Sequence, residues 1–201
     1  MLVAQRQSSV KHRPTVDDIG VRIHSDRAAP TPWYPASSRF PLRGRRRMSG
    51  EITIRPIEQR DHTQWRPLWD GYNAFYGPAG PTALPEEVTA TTWARFFDAD
   101  EPLHALAAEI EGRLVGITHY LFHRRTSGIE PICYLSDLFT AAAARGAGVG
   151  RALIEGVYER ARRAGASSVY WQTHETNLTA MKLYDKVADR SGFLVYRRVL
   201  R

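Results

Sequence analysis

Apolar positions change period along the chain, and each change marks an element. In "EITIRPI" (51–57) they alternate, as on a half-buried strand. From Trp65 they recur every three or four residues through Leu68, Trp69, Tyr72, Phe75 and Tyr76. This predicts a helix over "DHTQWRPLWDGYNAFYG", with Asp61 as cap, Pro67 in the first turns, and Gly77 and Pro78 at its end. "PEEVTATTWARFFD" predicts a second helix. Pro85 suits its first position, Glu86 and Glu87 its positive end, and Val88, Trp93, Phe96 and Phe97 its buried side. "LHALAAEI" and "RLVGITHYLFHR", split by Glu111-Gly112, read as a hairpin, and the almost continuously apolar "PICYLSDLFT" as a central strand. Leu153, Ile154, Val157, Tyr158 and Ala161 line one face of a helix that Gly165 stops. "SSVYWQTH" is a further strand, "NLTAMKLYDKVA" a helix capped by Asn177, and "GFLVYRRVL" a last strand. The order predicts an α/β fold with a mixed central sheet flanked by helices.

Residues 1–47 lie outside this pattern. They carry Pro14, Pro30, Pro32, Pro35 and Pro41 with no apolar period, a composition that cannot bury enough surface to offset ordering entropy. The expectation is a disordered basic extension, with the globular domain over 48–201 and "MSGEITIRP" reading as a natural start at Met48. Charge supports the division. The extension holds ten Arg and Lys against three Asp, the whole of the net +7, while 48–201 holds eighteen basic and eighteen acidic groups. Arg43, Arg45, Arg46 and Arg47 could contact nucleic-acid phosphates, but a neutral domain offers them no companion patch, so nucleic acid is not the expected partner. The longest apolar run in the extension is Leu2 to Ala4, too short for a secretory leader, and no run matches a membrane span. A cytoplasmic protein without a membrane partner is expected. Cys133, the only cysteine, allows no intrachain disulfide and no cysteine-based metal cluster; inside "ICYLSDLF" it reads as a small core residue, and no metal is expected.

Chemistry concentrates in "TAAAARGAGVGRALIE" (140–155). Glycines between a strand end and a helix start let backbone N–H groups converge on an anion, and the helix dipole favours negative charge there. A nucleoside-triphosphate loop would close on Gly-Lys-Ser/Thr, but Arg151 and Ala152 follow Gly150. A dinucleotide loop would need a third glycine where Arg151 or Leu153 stands. It would also want an acidic residue about 20 positions on, where Ala166 to Ser168 sit. What remains is Arg145-x-x-Gly148-x-Gly150 after "DLFT". This resembles the acyl-coenzyme A pyrophosphate loop of the GNAT (GCN5-related) N-acetyltransferases, Gln/Arg-x-x-Gly-x-Gly/Ala. "NLTAMKLYDKV" is similar to the family's second signature, Asn-x-x-Ala-x-x-Leu-Tyr, and the resemblance runs over 51–201 in element order. "FYG", "HYLFHR", "CYLSDLF" and "VYWQTHETN" look like the histone/polyamine acetyltransferase-like branch. The spacing in "YDKVADRSGF" is longer than the family's Tyr-x-x-x-Gly-Phe.

The resemblance implies a GNAT fold and an enzyme that moves an acetyl group from acetyl-CoA, its cosubstrate, directly to a primary amine. An alkyl ammonium with a pKa near 10.4 must first lose a proton. Asp137 is the implied base, ahead of His119, His174 and Glu175, and Tyr184 the implied acid for the departing thiolate. Backbone groups of Leu138 and Thr140, with Phe139 between them, would run along the pantetheine arm. The loop of Gly146, Ala147, Gly148, Val149, Gly150 and Arg151 would hold the pyrophosphate, with charge from Arg145 and Arg151 and a contact from Asn177. The acceptor would enter over the first helices and the strand around His119, with Tyr72, Tyr76, Glu130 and His123 as lining groups. Aromatic and acidic groups there suit a cationic amine, while Tyr72 and its neighbours also read as a buried helix face. The expected substrate is a small amine such as a polyamine or amino acid. Rival readings are a protein lysine or N-terminal acetyltransferase and an acyl-CoA-binding sensor; a homodimer is compatible with the family.

Overall fold

A computed structural model describes residues 50–76 and 84–200. The proposed extension and its boundary at Met48 lie outside them, as do Gly77, Pro78 and the side chain of Tyr76. Five strands form one sheet in the order of the chain: β1 (Thr53–Pro56), β2 (Leu103–Ile110), β3 (Arg113–His123), β4 (Ile132–Thr140) and β5 (Val169–Tyr170). The first four are antiparallel neighbours and β5 is parallel to β4. The mixed sheet is thus as the sequence predicts, with β3 rather than β4 at its centre. The hairpin also forms at Glu111-Gly112, where both residues take positive φ (50° and 75°), the geometry of a tight two-residue turn.

Helices cover both faces. On one lie α1 (His62–Tyr76) and α2 (Glu86–Arg95), on the other α3 (Val149–Arg163), with α4 (Leu178–Tyr184) beside it. α3 buries Val149, Leu153, Ile154, Val157 and Ala161 against Leu106, Tyr120, Cys133 and Leu135. At about 1.5–3 kcal/mol for each large apolar side chain, this face dominates the helix's attachment. Gly116 permits the contact, since a Cβ there would stand 2.8 Å from Val149 Cγ1 and 3.0 Å from Leu153 Cδ1. α1 buries Trp65, Leu68 and Trp69, with Pro67 in its second turn. Asp61 does not cap α1. It closes a 3-10 turn before the helix, accepts the Glu58 N–H at 2.8 Å, and pairs with Arg55 at 2.6 Å.

Three other expectations are corrected. Pro85 takes the N-cap position of α2, and its buried side is Thr89 with Trp93 and Phe96, while Val88 and Phe97 are exposed. β5 is only two residues long. The last predicted strand is absent: residues 191–200 have no sheet partner among the described residues and are exposed. The core reading of Cys133 holds; the residue is fully buried, and burial pushes its thiol up to about 12.

Candidate active site

Because β5 pairs only with Cys133 and Tyr134, β4 runs on from Leu135 to Thr140 paired with β3 but with no described strand on its other edge, and a cleft of about 970 Å³ opens beside it. Residues 138–140 form one wall, the loop before α3 its end, and α4 the opposite wall. Gly146 and Gly148 take φ of 80° and 90°, a region L side chains rarely enter. These turns bring the start of α3 onto the cleft. No side chain caps that helix, and its first-turn amides have no acceptor within the helix. Arg145 donates Nε–H to the Thr140 carbonyl at 3.3 Å and stacks over Phe139, while Arg151 lies 3.6 Å from Glu155. Lys182 and Lys186 add two cations from α4 and its end that sequence reasoning missed; their four-residue spacing was the available signal. Amides, glycines, cations and volume fit a large polyanionic cosubstrate ending in an apolar arm.

A bulge places the carboxylate. In the β3–β4 ladder His119 faces Asp137 but Tyr120 faces Leu135, so Ser136 is an extra residue. Before it, Cys133 and Leu135 point to the α3 side. After it, Leu138 packs on that side and Phe139 on the α1 side. Asp137 thereby joins His119 beneath α1, where His119 Nδ1 lies 3.0 Å from Asp137 Oδ2. The Trp65 indole, a donor only, gives its N–H to His119 Nε2 at 3.1 Å. The neutral imidazole then carries its proton on Nδ1 and donates to Asp137, which is left as the acceptor at the end of the chain. Trp65, Trp69 and Phe96 pack around the ring at 6.1, 5.1 and 4.7 Å. At 1% exposure with both nitrogens engaged, His119 does not face an acceptor, contrary to the sequence reading. The Asp137 side chain keeps 17% exposure, one residue before the cleft wall.

Tyr184 ends α4 on the cleft, its ring 5.4 Å from Trp171 and edge-on. Asn177 also lines the cleft, but its side chain donates to Thr173 Oγ1 at 3.2 Å and does not cap α4. Of the residues assigned to the cosubstrate, Leu138, Phe139, Thr140, Arg145, Gly146, Gly148, Val149, Gly150, Arg151, Asn177 and Tyr184 line the cleft; Ala147 is at the exposed bend of the loop. Tyr72 lines it too, stacked on Trp69 at 5.5 Å, so it serves both the buried face and the cleft, with the unpredicted Phe75 beside it. His123, in contact with Tyr170, and Glu130, His174 and Glu175 are not among the residues that line the cleft.

Comparison with known proteins agrees with this geometry. Residues 65–188 match the model of the acetyltransferase (GNAT) family. The chain is 40% identical over 153 residues, 75% of its length and 92% of the relative's, to the D-amino-acid N-acetyltransferase HPA3 of Saccharomyces cerevisiae. Among solved structures, a ribosomal-protein-alanine N-acetyltransferase from Brucella melitensis biovar Abortus 2308 superposes with a TM-score of 0.61 at 19% identity, over 75% of this chain and all of that one. An aminoglycoside N-acetyltransferase in complex with CoA does so with a TM-score of 0.64 at 18% identity, over 75% of this chain and 96% of that one. With a cleft built for a polyanion, the two signature motifs on its walls and a family match across most of the domain, the chain belongs to the acetyltransferase (GNAT) family and is an acetyl-CoA-dependent N-acetyltransferase.

Proposed function

We propose that the protein acetylates the primary amine of a small molecule, with amino acids first among the acceptors, Asp137 as base and Tyr184 as acid. The observation that carries this is the hydrogen-bonded series Trp65–His119–Asp137, which holds a carboxylate as proton acceptor one residue from the cleft wall. Asp137 accepts a proton from the acceptor ammonium, directly or through one water, and the freed amine attacks the thioester carbonyl. As the carbon–sulfur bond breaks, the Tyr184 hydroxyl gives a proton to the departing sulfur; the proton left on the acylated nitrogen restores that hydroxyl, directly or through water, and the proton held by Asp137 returns to solvent. First-turn amides of α3, with Arg145, Arg151, Lys182 and Lys186, hold the donor's phosphates, and residues 138–140 run along its arm.

The relative named for D-amino acids supports a small acceptor, and Tyr72 and Phe75 supply an aromatic rim for it at the α1 end of the cleft. The domain boundary at Met48 and a cytoplasmic setting belong to the same reading; no described helix is long and apolar enough to cross a membrane. The test is acetyl-CoA-dependent thiol release over D- and L-amino acids, polyamines and lysine peptides. Turnover of a free amine that collapses in Asp137→Asn is the expected result. Turnover confined to peptides would replace the small-molecule reading with the protein one.

A further inference from the structure

α4 carries the proposed acid and has little of its own to hold it in place. Seven residues are too few for a stable helix without tertiary support, no side chain caps its start, and none of its residues is fully buried. Its position is therefore set by individual contacts, and two of them come from α3. At the cleft end of α3 a Cβ on Gly150 would stand 3.3 Å from Leu183 Cδ2, so the Leu183 side chain rests against that glycine. Two turns further along α3, about 12 Å away, Tyr158 donates its hydroxyl to the Val187 carbonyl at 2.9 Å.

The second contact leads straight to the acid. The peptide unit between Val187 and Ala188 accepts the Tyr158 hydroxyl on its oxygen, and its N–H donates to the Tyr184 carbonyl at 2.9 Å. That unit is planar and stiff, so the hydroxyl on α3 and the backbone of Tyr184 are joined through one rigid plate. The Val187 N–H donates to the same carbonyl at 3.0 Å. The apolar parts of these residues meet as well. The Tyr158 ring lies 6.5 Å from that of Trp171, which stands 5.4 Å from the Tyr184 ring. Tyr158 has a firm base, since its neighbour Val157 is fully buried, yet it is itself only partly buried and does not line the cleft.

We propose that Tyr158 is a positioning residue for acetyl transfer: through the Val187–Ala188 peptide its hydroxyl fixes the end of α4 so that the Tyr184 hydroxyl meets the departing sulfur. This rests on Tyr184 being the acid. The effect falls on rate and not on donor binding. Phosphates and arm are held by many groups along the cleft, and the loss of one distant tie disturbs them little. Proton transfer needs the hydroxyl within hydrogen-bond reach, and a displacement of about 1 Å can cost about 10²-fold.

The test is a double-mutant cycle on the full chain. Tyr158→Phe keeps the ring beside Trp171 and deletes the hydroxyl, Tyr184→Phe deletes the acid, and the third variant carries both. Thiol release from acetyl-CoA is followed with whichever D- or L-amino acid, polyamine or lysine peptide the unmodified chain turns over fastest. Tyr158→Phe should lower kcat about tenfold, leave the KM for acetyl-CoA within about threefold, and cost nothing further when added to Tyr184→Phe, the non-additivity of two groups that act as one. Full kcat in Tyr158→Phe overturns the proposal, as does a rise in KM alone. An equal loss in both backgrounds also overturns it, because a hydroxyl that only supports the fold weakens the enzyme whether or not Tyr184 keeps its own. Full kcat in Tyr184→Phe overturns the acid reading and this one with it, and that single variant reports it separately from Tyr158.

Discussion

Trp65 donates its indole N–H to His119 Nε2 at 3.1 Å, and that bond fixes the direction of the next one, from His119 Nδ1 to Asp137. Asp137→Asn should lower kcat by about 10²–10⁴, the usual contribution of a positioned base. In the proposed mechanism His119, buried with both ring nitrogens engaged, acts by positioning Asp137. His119→Leu should lose most of the same factor, His119→Gln, which can still donate, should recover part of it, and Trp65→Phe should move the acid limb of the pH–rate profile. A profile unmoved by all three would mean that the series only packs the core.

Tyr184→Phe keeps the ring on Trp171 and removes only the hydroxyl. The expected change is a fall in kcat of about 10²–10⁴ with the KM for acetyl-CoA within a few-fold, because the proton is needed as the sulfur leaves. A rise in KM alone would give Tyr184 a binding role in place of the chemical one.

Gly148 sits at φ 90° at the start of α3, where a Cβ meets no atom within 4 Å, so strain and not collision decides the outcome of Gly148→Ala. The left-handed conformation costs other residues about 1–2 kcal/mol. If the loop relaxes to avoid this, the KM for acetyl-CoA should rise about tenfold with kcat at saturation little changed. Steady-state kinetics with varied donor reads the difference.

The Arg55 guanidinium holds the Asp61 carboxyl below the ordinary carboxylate range, and Asp61 is 4% exposed. A lowered folded pKa contributes stability that is present above the unfolded value near 3.9 and lost as pH falls through the folded one. Asp61→Asn should therefore cost about 1–3 kcal/mol from pH 5 to 8, less than a fully buried pair because Arg55 keeps Glu109. The gap to the parent should narrow below about pH 4, where the parent's own carboxylate becomes protonated. Urea midpoints at several pH values measure it.

Cys133 is buried in β4 with its thiol raised to about 12, so it should resist thiol reagents in the native protein and react at once in urea. Labelling at the free-thiol rate without denaturant would contradict the packing of β4 against α3.

What the sequence made legible were the features written in neighbouring residues. Glu111-Gly112 predicts its own turn, the Arg145–Gly150 loop carries its glycines in order, and Leu153, Ile154 and Val157 show their face by spacing. The phase of β4 was hidden because "ICYLSDLF" is apolar on both sides, so no alternation reports the extra residue at Ser136. His119 belongs to a strand buried on both faces, where a histidine at the rim and one in the core look alike until Trp65 and Phe96 are placed. Cleft residues Phe75, Lys182 and Lys186 belong to no motif, and only the approach of α1 and α4 to β4 brings them together. "GFLVYRRVL" was legible as a strand by pattern, but strand formation needs a partner, which its own period cannot name.

The extra residue at Ser136 makes β4 a strand with a reading frame. Loop lengths in this fold can drift with little effect, but a one-residue slip that paired Ser136 with His119 would restore simple alternation without the bulge. Asp137 and Phe139 would then turn toward α3, and Leu138 toward α1. Such a slip would leave the sequence, the family motifs and the hydrophobic content intact while parting the carboxylate from His119, whereas deleting Ser136 would keep the two opposite each other. Register at Ser136 is thus a specificity that no comparison of side chains would reveal.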